Sequence, residues 1–395
     1  MALQSFVLLI AVTRICGAEI AGTYSVAFAA AQVLWTIGVF EATTFFTTDA
    51  ADRFSAEQYL AFKICSCALM LISGLAYVLI RSLPPYSAYL TIALCCFKLV
   101  DAFNEYFFAL FQKNGKLEVA GFSVFCQAVL STAILIVSLV LGRDVLLAVS
   151  LATVGKIIFS NAYNLMMTKR YVSLGLPDFS LNDLAGIFWS LFPLFLAAFC
   201  SNYIANITKF AIEQSSVASL QAAYNILFMP SFAINLLVLF FLRPSLTALA
   251  EYWRVSALSK LRDRIVKLLA GVLIVSILVM LAAGAVGIPL LEMVFGMDLE
   301  GRTPCLLVLL VGSGLASASL VFYNVFIVMR KQGIVLAVYC FVALICFPVS
   351  KAMVDAWGLM GAAYSYAVVY GIMFAIFAAS YRIPMRSVLA HRPGE

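Results

Sequence analysis

Charge is what this chain has least of. Aspartate, glutamate, lysine and arginine make up 11% of its 395 residues, and hydrophobic residues make up 64%. A soluble domain is about a quarter charged and about half apolar, so these proportions exclude one. Histidine is nearly absent: His391, near the C-terminus, stands alone. A histidine-based metal site, proton relay or Ser-His triad inside a membrane is therefore excluded by inventory. Long polar stretches are missing too, which leaves no room for a folded domain outside the lipid and argues against glycosyltransferases, polymerases and ligases that need one. The ten cysteines include no CxxC pair and mostly lie in apolar runs, where they read as small buried hydrophobes.

What is present is a succession of about twelve apolar segments, about 33 residues per pass, against the roughly 20 that an α-helical span needs. They fall near 2–16, 24–47, 60–80, 87–111, 118–141, 145–167, 185–212, 218–242, 268–290, 304–329, 333–350 and 357–380. The first reads as a span, not a cleaved leader, although only about 15 residues precede the turn that opens at Gly17. Two alternatives stay open for it: a start further upstream, or a helix that begins in the headgroup zone. A polar connection at 168–183, containing Pro177, marks the midpoint and divides the chain into a lobe at 1–175 and a lobe with a short basic tail at 176–395. Six segments on either side suggest two lobes related by a parallel repeat.

Lysine and arginine placement orients the chain. With the N-terminus in the cytoplasm, seventeen of the 25 basic residues fall on the inner side, Lys63 among them, and five fall outside; Lys98, Lys156 and Lys209 lie within the membrane. Both termini are then cytoplasmic. The net charge of +6 follows from this topology and calls for no nucleic acid. The stretch 248–267, with Tyr252, Trp253, Arg254, Lys260, Arg262 and Arg264, reads as an amphipathic helix lying on the inner leaflet, where anionic membrane lipids would attract it.

Ionisable groups inside apolar segments are expensive and mark functional sites by default. Asn202, Asn206, Lys209 and Glu213 are spaced four, three and four apart, so on a helix they form one polar ridge. The ridge would line a path for a polar, anionic cargo. The alternative is a buried ladder in which Lys209 pairs with Glu213 and the asparagines bond across helices. Lys98, Asp101 and Glu105 share a face of the fourth segment, beside Asn104. Either Lys98 and Asp101 neutralise each other, or a carboxylate takes up the proton or sodium ion that drives transport. Lys156, with Asn161 and Asn164, has no acid nearby in sequence and must meet a carboxylate or a cargo. Three lysines on three helices would suit a cavity that attracts a phosphate or pyrophosphate; paired with Asp101, Glu105 and Glu41 they would instead hold the bundle together. Pro193 and Pro230 kink adjacent segments, which suits either a bundle that bends between states or a static one.

Two stretches carry a family resemblance. Glu41-Ala-Thr-Thr-Phe-Phe-Thr-Thr-Asp49, followed by Phe54-Ser-Ala-Glu-Gln-Tyr59, resembles the bacterial polysaccharide exporters, the O-antigen-type flippases of the multidrug/oligosaccharidyl-lipid/polysaccharide superfamily. Asn206-Ile-Thr-Lys209-Phe-Ala-Ile-Glu213, then Tyr224-Asn225 and Pro230, looks like the seventh and eighth helices of that family. The resemblance implies an all-α polytopic membrane protein of about twelve transmembrane helices, in a V-shaped pair of six-helix lobes around a central cavity. It implies movement of undecaprenyl-pyrophosphate-linked oligosaccharide between leaflets of the bacterial inner membrane, and an H+ or Na+ gradient as driving force in at least some members. No other cofactor or metal is implied; the partners are the lipid-linked oligosaccharide, membrane lipids and other polysaccharide-assembly membrane proteins. Carried over by position, Glu41 and Asp49 stand at the acidic end of the second segment, and Asn206, Lys209 and Glu213 in the seventh. Lys98 and Lys156 match no motif position and rest on the membrane argument. The expected cargo contacts are thus Lys98, Lys156, Asn202, Asn206 and Lys209; the expected coupling or gating groups are Glu41, Asp49, Asp101, Glu105 and Glu213. A drug antiporter of the same superfamily is the alternative, with carboxylates lining its site. A membrane glycan polymerase or ligase is a third, disfavoured because the longest external loop, 289–303, carries one arginine.

Overall fold

The computed structural model describes residues 2–48, 53–172, 175–214 and 218–381. Asp49, His391 and the basic residues of the tail lie outside the described residues. The described chain is α-helical throughout: α1 (Ala2–Cys16), α2 (Ala18–Val39), α3 (Ala42–Thr48), α4 (Ala56–Arg81), α5 (Pro85–Lys113), α6 (Leu117–Gly142), α7 (Val145–Tyr171), α8 (Leu181–Gln214), α9 (Ala218–Phe228), α10 (Ser231–Arg254), α11 (Leu258–Phe295), α12 (Thr303–Val328) and α13 (Gln332–Ser380). α13 is two helices joined at Gly358, whose φ of 56° and ψ of −128° suit glycine alone. Ten helical stretches among the described residues, with α9 and α10 taken together, are long and apolar enough to cross a membrane. Dividing α13 and adding the shorter α1 gives the twelve passes expected from hydropathy. The protein is an all-α polytopic membrane protein.

Side chains are distributed as lipid demands. Large apolar groups point outward (Ile80 81% exposed, Leu344 78%), while Lys63, Lys98, Lys156, Asp101 and a series of serines are buried. In lipid apolar surface gains no hydrophobic free energy by turning inward, so close packing and interhelical polar contacts decide what is buried.

Two compact units are present, Met1–Asn206 and Ile207–Glu395, and their boundary falls inside α8. In the first, α5 is the central helix and packs against α2, α3, α4, α6 and α7. α5 starts cleanly because Pro85 occupies its first turn, where no hydrogen bond is lost. α4 opens with a capping box: Gln58 N donates to Ser55 Oγ at 3.2 Å, and Ser55 N donates to Gln58 Oε1 at 2.8 Å. Asp144 caps α7 by accepting from Leu146 N and Leu147 N. In the second unit the centre is α12, which packs against α9, α10, α11 and α13. α12 carries no charge, and its small residues let neighbours approach: a Cβ on Gly312 would stand 2.4 Å from the Tyr366 ring.

Several boundaries differ from the hydropathy reading. The second segment is broken: Phe40 and Glu41 both have positive φ (50° and 54°), ending α2 and turning the chain into α3. Gly17 alone makes the turn expected over 17–22, because alanines from Ala18 onward continue as helix. The amphipathic surface helix expected over 248–267 does not exist as one element. The chain turns at 255–257 between α10 and α11, with Ser256 at φ 54°, and the buried Leu249, Leu261 and Ile265 belong to the interior on either side of that turn. Lys63, expected on the inner surface, is a buried side chain inside α4 at 1% exposure. The midpoint connection shrinks to 172–180, and it rests on the start of α4: Gly175 N donates to Glu57 Oε1 at 3.0 Å, Asp178 N donates to Glu57 O, and Gln58 Nε2 donates to Asp178 and Asp183.

Candidate functional site

The polar interior of the first unit is assembled by α1, α5, α6 and α7. On α5, Lys98, Asp101, Asn104 and Glu105 lie on successive turns of one face, as their spacing requires. On α7, Lys156, Ser160 and Asn164 repeat every four residues and are all buried. α6 adds Ser123, Gln127 and Ser131, again four apart.

Asp101 is the hinge of the charged part. Lys156 Nζ donates directly to Asp101 Oδ1, and Lys98 Nζ lies 3.9 Å from Asp101 Oδ2. Each ammonium also covers an aromatic face: Lys156 lies 4.1 Å from the Phe97 ring centroid, and Lys98 lies 4.7 Å from that of Phe28. All three ionisable side chains are buried. A buried carboxylate shared by two ammoniums satisfies the demand that charges in lipid be paired. Of the two alternatives for Lys98 and Lys156, a cargo or a carboxylate, the described contacts are those of the second: both close on Asp101 inside one unit.

Beside this cluster the neutral polar groups close into a ring. Asn104 Nδ2 donates to Gln127 Oε1 at 2.8 Å. Gln127 Nε2 donates to Ser123 Oγ at 3.0 Å. Ser123 Oγ donates to Asn164 Oδ1 at 3.1 Å, and Asn164 Nδ2 donates back to Asn104 Oδ1 at 2.8 Å. Each member gives one bond and takes one, so three helices are tied with no polar group of the circuit left open. Gln4 on α1 extends the network by donating to Ser131 Oγ at 2.9 Å. Between charge cluster and ring lies a cavity of about 20 Å³, room for about one water, bordered by Gln4, Asp101, Asn104, Glu105, Gln127 and Lys156. Glu105 accepts from Thr43 Oγ1 of α3 at 3.3 Å.

A second ionic centre lies at the break between α2 and α3. Lys63 Nζ donates to Gly38 O at 3.0 Å and to Val39 O at 2.9 Å, and Ser66 Oγ also donates to Gly38 O. A buried ammonium thus satisfies carbonyls that the end of α2 leaves without helical partners. Glu41 and Glu105 lie within electrostatic range of it. The ring of Phe40, held in the left-handed conformation at the break, stacks on Phe195 of α8 at 4.2 Å and 5°.

The ridge on α8 does not form the ladder that was its alternative. Asn202 Nδ2 and Asn206 Nδ2 donate to Ala198 O and Asn202 O, one turn back on their own helix, and not across helices. Lys209 is half-buried and has no ion pair or hydrogen bond among the described residues, so the expected pair with Glu213 is not formed. It stands five residues before the end of α8, about 7–8 Å along the axis, nearer a helix end than the helix centre. Among the described residues no group of three or more His, Cys, Asp and Glu is placed to hold a metal ion.

Ser123, Gln127, Ser131, Gln4 and Lys63 are absent from the sequence-derived site. The signal for the first three is the four-residue repeat of polar groups in the otherwise apolar α6. For Lys63 it is a lysine two turns inside a span.

The sequence matches no protein-family model and no curated protein. Solved structures do match. An inward-facing multidrug resistance MATE family transporter of the MOP superfamily superposes with a TM-score of 0.76 at 12% identity, over 99% of this chain and 96% of that one. The lipid II flippase MurJ, in an inward closed conformation, gives 0.69 at 12% identity, over 97% and 88%. A MOP superfamily transporter from Pyrococcus furiosus, for which a reversed polarity of the binding pocket suggests a different function, gives 0.59 at 16% identity, over 98% and 92%. At these identities the likeness shows the fold: this chain has the fold of the MOP superfamily transporters.

Proposed function

We propose that the chain carries an undecaprenyl-pyrophosphate-linked oligosaccharide from the inner to the outer leaflet of a bacterial inner membrane, by alternating access of its two halves, with both termini cytoplasmic. The observation that carries the reading is Lys209: a half-buried ammonium on an apolar helix, with no ion pair or hydrogen bond among the described residues. In lipid such a group needs a counter-charge, and a pyrophosphate passing beside it supplies one. Asn202 and Asn206 keep side-chain carbonyls on the same ridge for sugar hydroxyls. Glu41, Asp49, Asp101, Glu105 and Glu213 are the candidates for ion coupling or gating.

Supporting considerations come from the fold. The central helix is the fourth pass of each half, α5 in one and α12 in the other, the pattern expected of a parallel repeat with lobes near 1–175 and 176–395. A lipid II flippase shares the architecture. Partners are then the lipid-linked cargo, membrane lipids and other membrane proteins of polysaccharide assembly. The multidrug transporters that share the fold favour a second reading, export of a small molecule.

Reconstituted vesicles bearing undecaprenyl-pyrophosphate-linked oligosaccharide separate the two. Lys209→Ala loses translocation by about 10- to 100-fold at unchanged protein level, the loss of one charge-assisted contact, and Lys209→Arg retains most of it. Undiminished translocation by Lys209→Ala rejects the cargo role. Drug resistance on expression, with no polysaccharide defect on deletion, favours the second reading.

A further inference from the structure

The cavity beside Asp101 is the natural place to ask which ion drives the protein, because two carboxylates line it. We infer that Lys156 is the resident cation of that cavity, so that the wild-type protein does not bind sodium there. The inference rests on reading Asp101 and Glu105 as coupling groups, and is independent of what the cargo is.

Three observations carry it. First, the position a sodium ion would take against Asp101 Oδ1 is filled, since Lys156 Nζ is in direct contact with that oxygen and only 1% of the residue is exposed. Lys98 guards the other carboxylate oxygen at 3.9 Å. Second, the charges already cancel: three ammoniums, Lys98, Lys156 and Lys63, stand against the three carboxylates Asp101, Glu105 and Glu41. A further cation would enter a site with no net negative charge and an ammonium in contact with its best ligand. Third, three of the remaining oxygens already accept hydrogen bonds. Asn104 Oδ1 accepts from Asn164, Gln127 Oε1 accepts from Asn104, and Glu105 Oε2 accepts from Thr43. A hard cation wants several oxygen ligands at once; opening the ring to supply them would leave buried donors without acceptors.

The arrangement has a converse. Truncating Lys156 removes the tethered charge and the volume of its side chain together. The cluster then keeps three carboxylates, Asp101, Glu105 and Glu41, against two ammoniums, Lys98 and Lys63, with the amide oxygens of Asn104 and Gln127 close by. That combination of net negative charge, oxygen ligands and room is what the wild type lacks, so Lys156→Ala converts a sodium-indifferent cavity into a sodium site.

The experiment is thermal unfolding of the purified full-length protein in detergent, titrating NaCl against choline chloride at constant ionic strength, with KCl as a size control. Wild type unfolds at the same temperature throughout. Lys156→Ala shows a saturable, sodium-specific rise in Tm, and adding Asp101→Asn removes it. Lys156→Gln, closer in shape, serves if the alanine variant does not fold. A saturable sodium-specific rise in wild type, lost in Asp101→Asn, overturns the inference, and this arm decides alone should neither Lys156 variant fold. A folded Lys156→Ala with no sodium response overturns it equally. No cargo enters the assay, so a failure here leaves the Lys209 reading untouched, and a failure there leaves this one untouched.

Discussion

Replacing Lys63 with methionine tests whether a buried ammonium holds the break between α2 and α3. Methionine keeps most of the length and apolar stem, and removes the charge and its hydrogen bonds to Gly38 O and Val39 O. Hydrogen bonds from charged donors contribute about 1.5–3 kcal/mol each. Against this, losing the charge relieves a desolvation penalty of several kcal/mol. The balance turns on what the carbonyls have left. Gly38 O retains Ser66 Oγ at 2.9 Å, whereas Val39 O loses the only hydrogen-bond donor described for it. One orphaned buried carbonyl costs about 1–3 kcal/mol, so Lys63→Met destabilises by about that much. Ser66→Ala alone leaves Gly38 O bonded to Lys63 and costs about 0.5 kcal/mol, since one neutral bond is lost and no acceptor is stranded. Together the two changes strand both carbonyls, so the double variant is worse than the sum by about 1 kcal/mol, the signature of a shared partner. Equilibrium unfolding in mixed micelles, followed by tryptophan fluorescence, measures all three. A Lys63→Met stability within about 0.5 kcal/mol of wild type, or strict additivity in the cycle, would refute the account.

Two pairs of substitutions probe packing, one pair in each unit. A Cβ on Gly361 would stand 1.8 Å from Met353 O, a backbone atom that cannot turn aside, so Gly361→Ala costs at least the ~1–3 kcal/mol of ordinary overpacking and depletes folded protein in fluorescence-detected chromatography. Gly333→Ala, in the first of the two helices of α13 with nothing within 4 Å, is neutral or stabilises by up to about 1 kcal/mol; equal behaviour of the two would refute the steric argument. Asn104→Leu opens the polar ring, stranding Gln127 Oε1 and Asn164 Nδ2, and lowers stability by about 1–2 kcal/mol, at the upper end for interhelical bonds in membranes. Adding Asn164→Leu then costs less than it does in wild type; full additivity in the unfolding assay would show that no circuit exists.

What the sequence made legible is what depends on local composition. Runs of apolar residues mark the passes because a span must satisfy its backbone within itself. The inward turn of Lys98, Asp101 and Lys156 follows from the same rule, and the pairing of Lys98 with Asp101 was readable from a spacing of three. Lys156 found its carboxylate 55 residues away, on α5, where no spacing argument reaches. The ring is opaque for the same reason: its four members come from three helices, and each looks alone like a tolerated polar residue. The break at Phe40 and Glu41 escaped because two non-glycine residues with positive φ are held there by Lys63, more than twenty positions on, which the placement of basic residues had assigned to the surface. The turn at 255–257 escaped because basic side chains on the solvent side of two helix ends read, in sequence, as the polar face of one surface helix.

These placements change which lysine carries the functional argument. A basic group in lipid is either neutralised by its own bundle or held ready for something that arrives. In the first unit three buried lysines meet three carboxylates: Lys98 and Lys156 share Asp101, and Lys63 bonds two carbonyls with Glu41 and Glu105 nearby. Those three hold helices together, so their loss strikes the fold first and any effect on transport follows from that. Lys209 has no such neutraliser among the described residues, and removing it should relieve the folded protein of a charge instead of stranding a partner. The two kinds of lysine therefore differ in kind of phenotype, not in severity. Variants of the first lose stability and amount in proportion to activity, and a variant of the second loses activity while the protein stays in place. If Lys209→Ala proved no less active per molecule and markedly less stable than wild type, the ammonium would have an internal partner after all, and the case for an anionic headgroup would lose its footing.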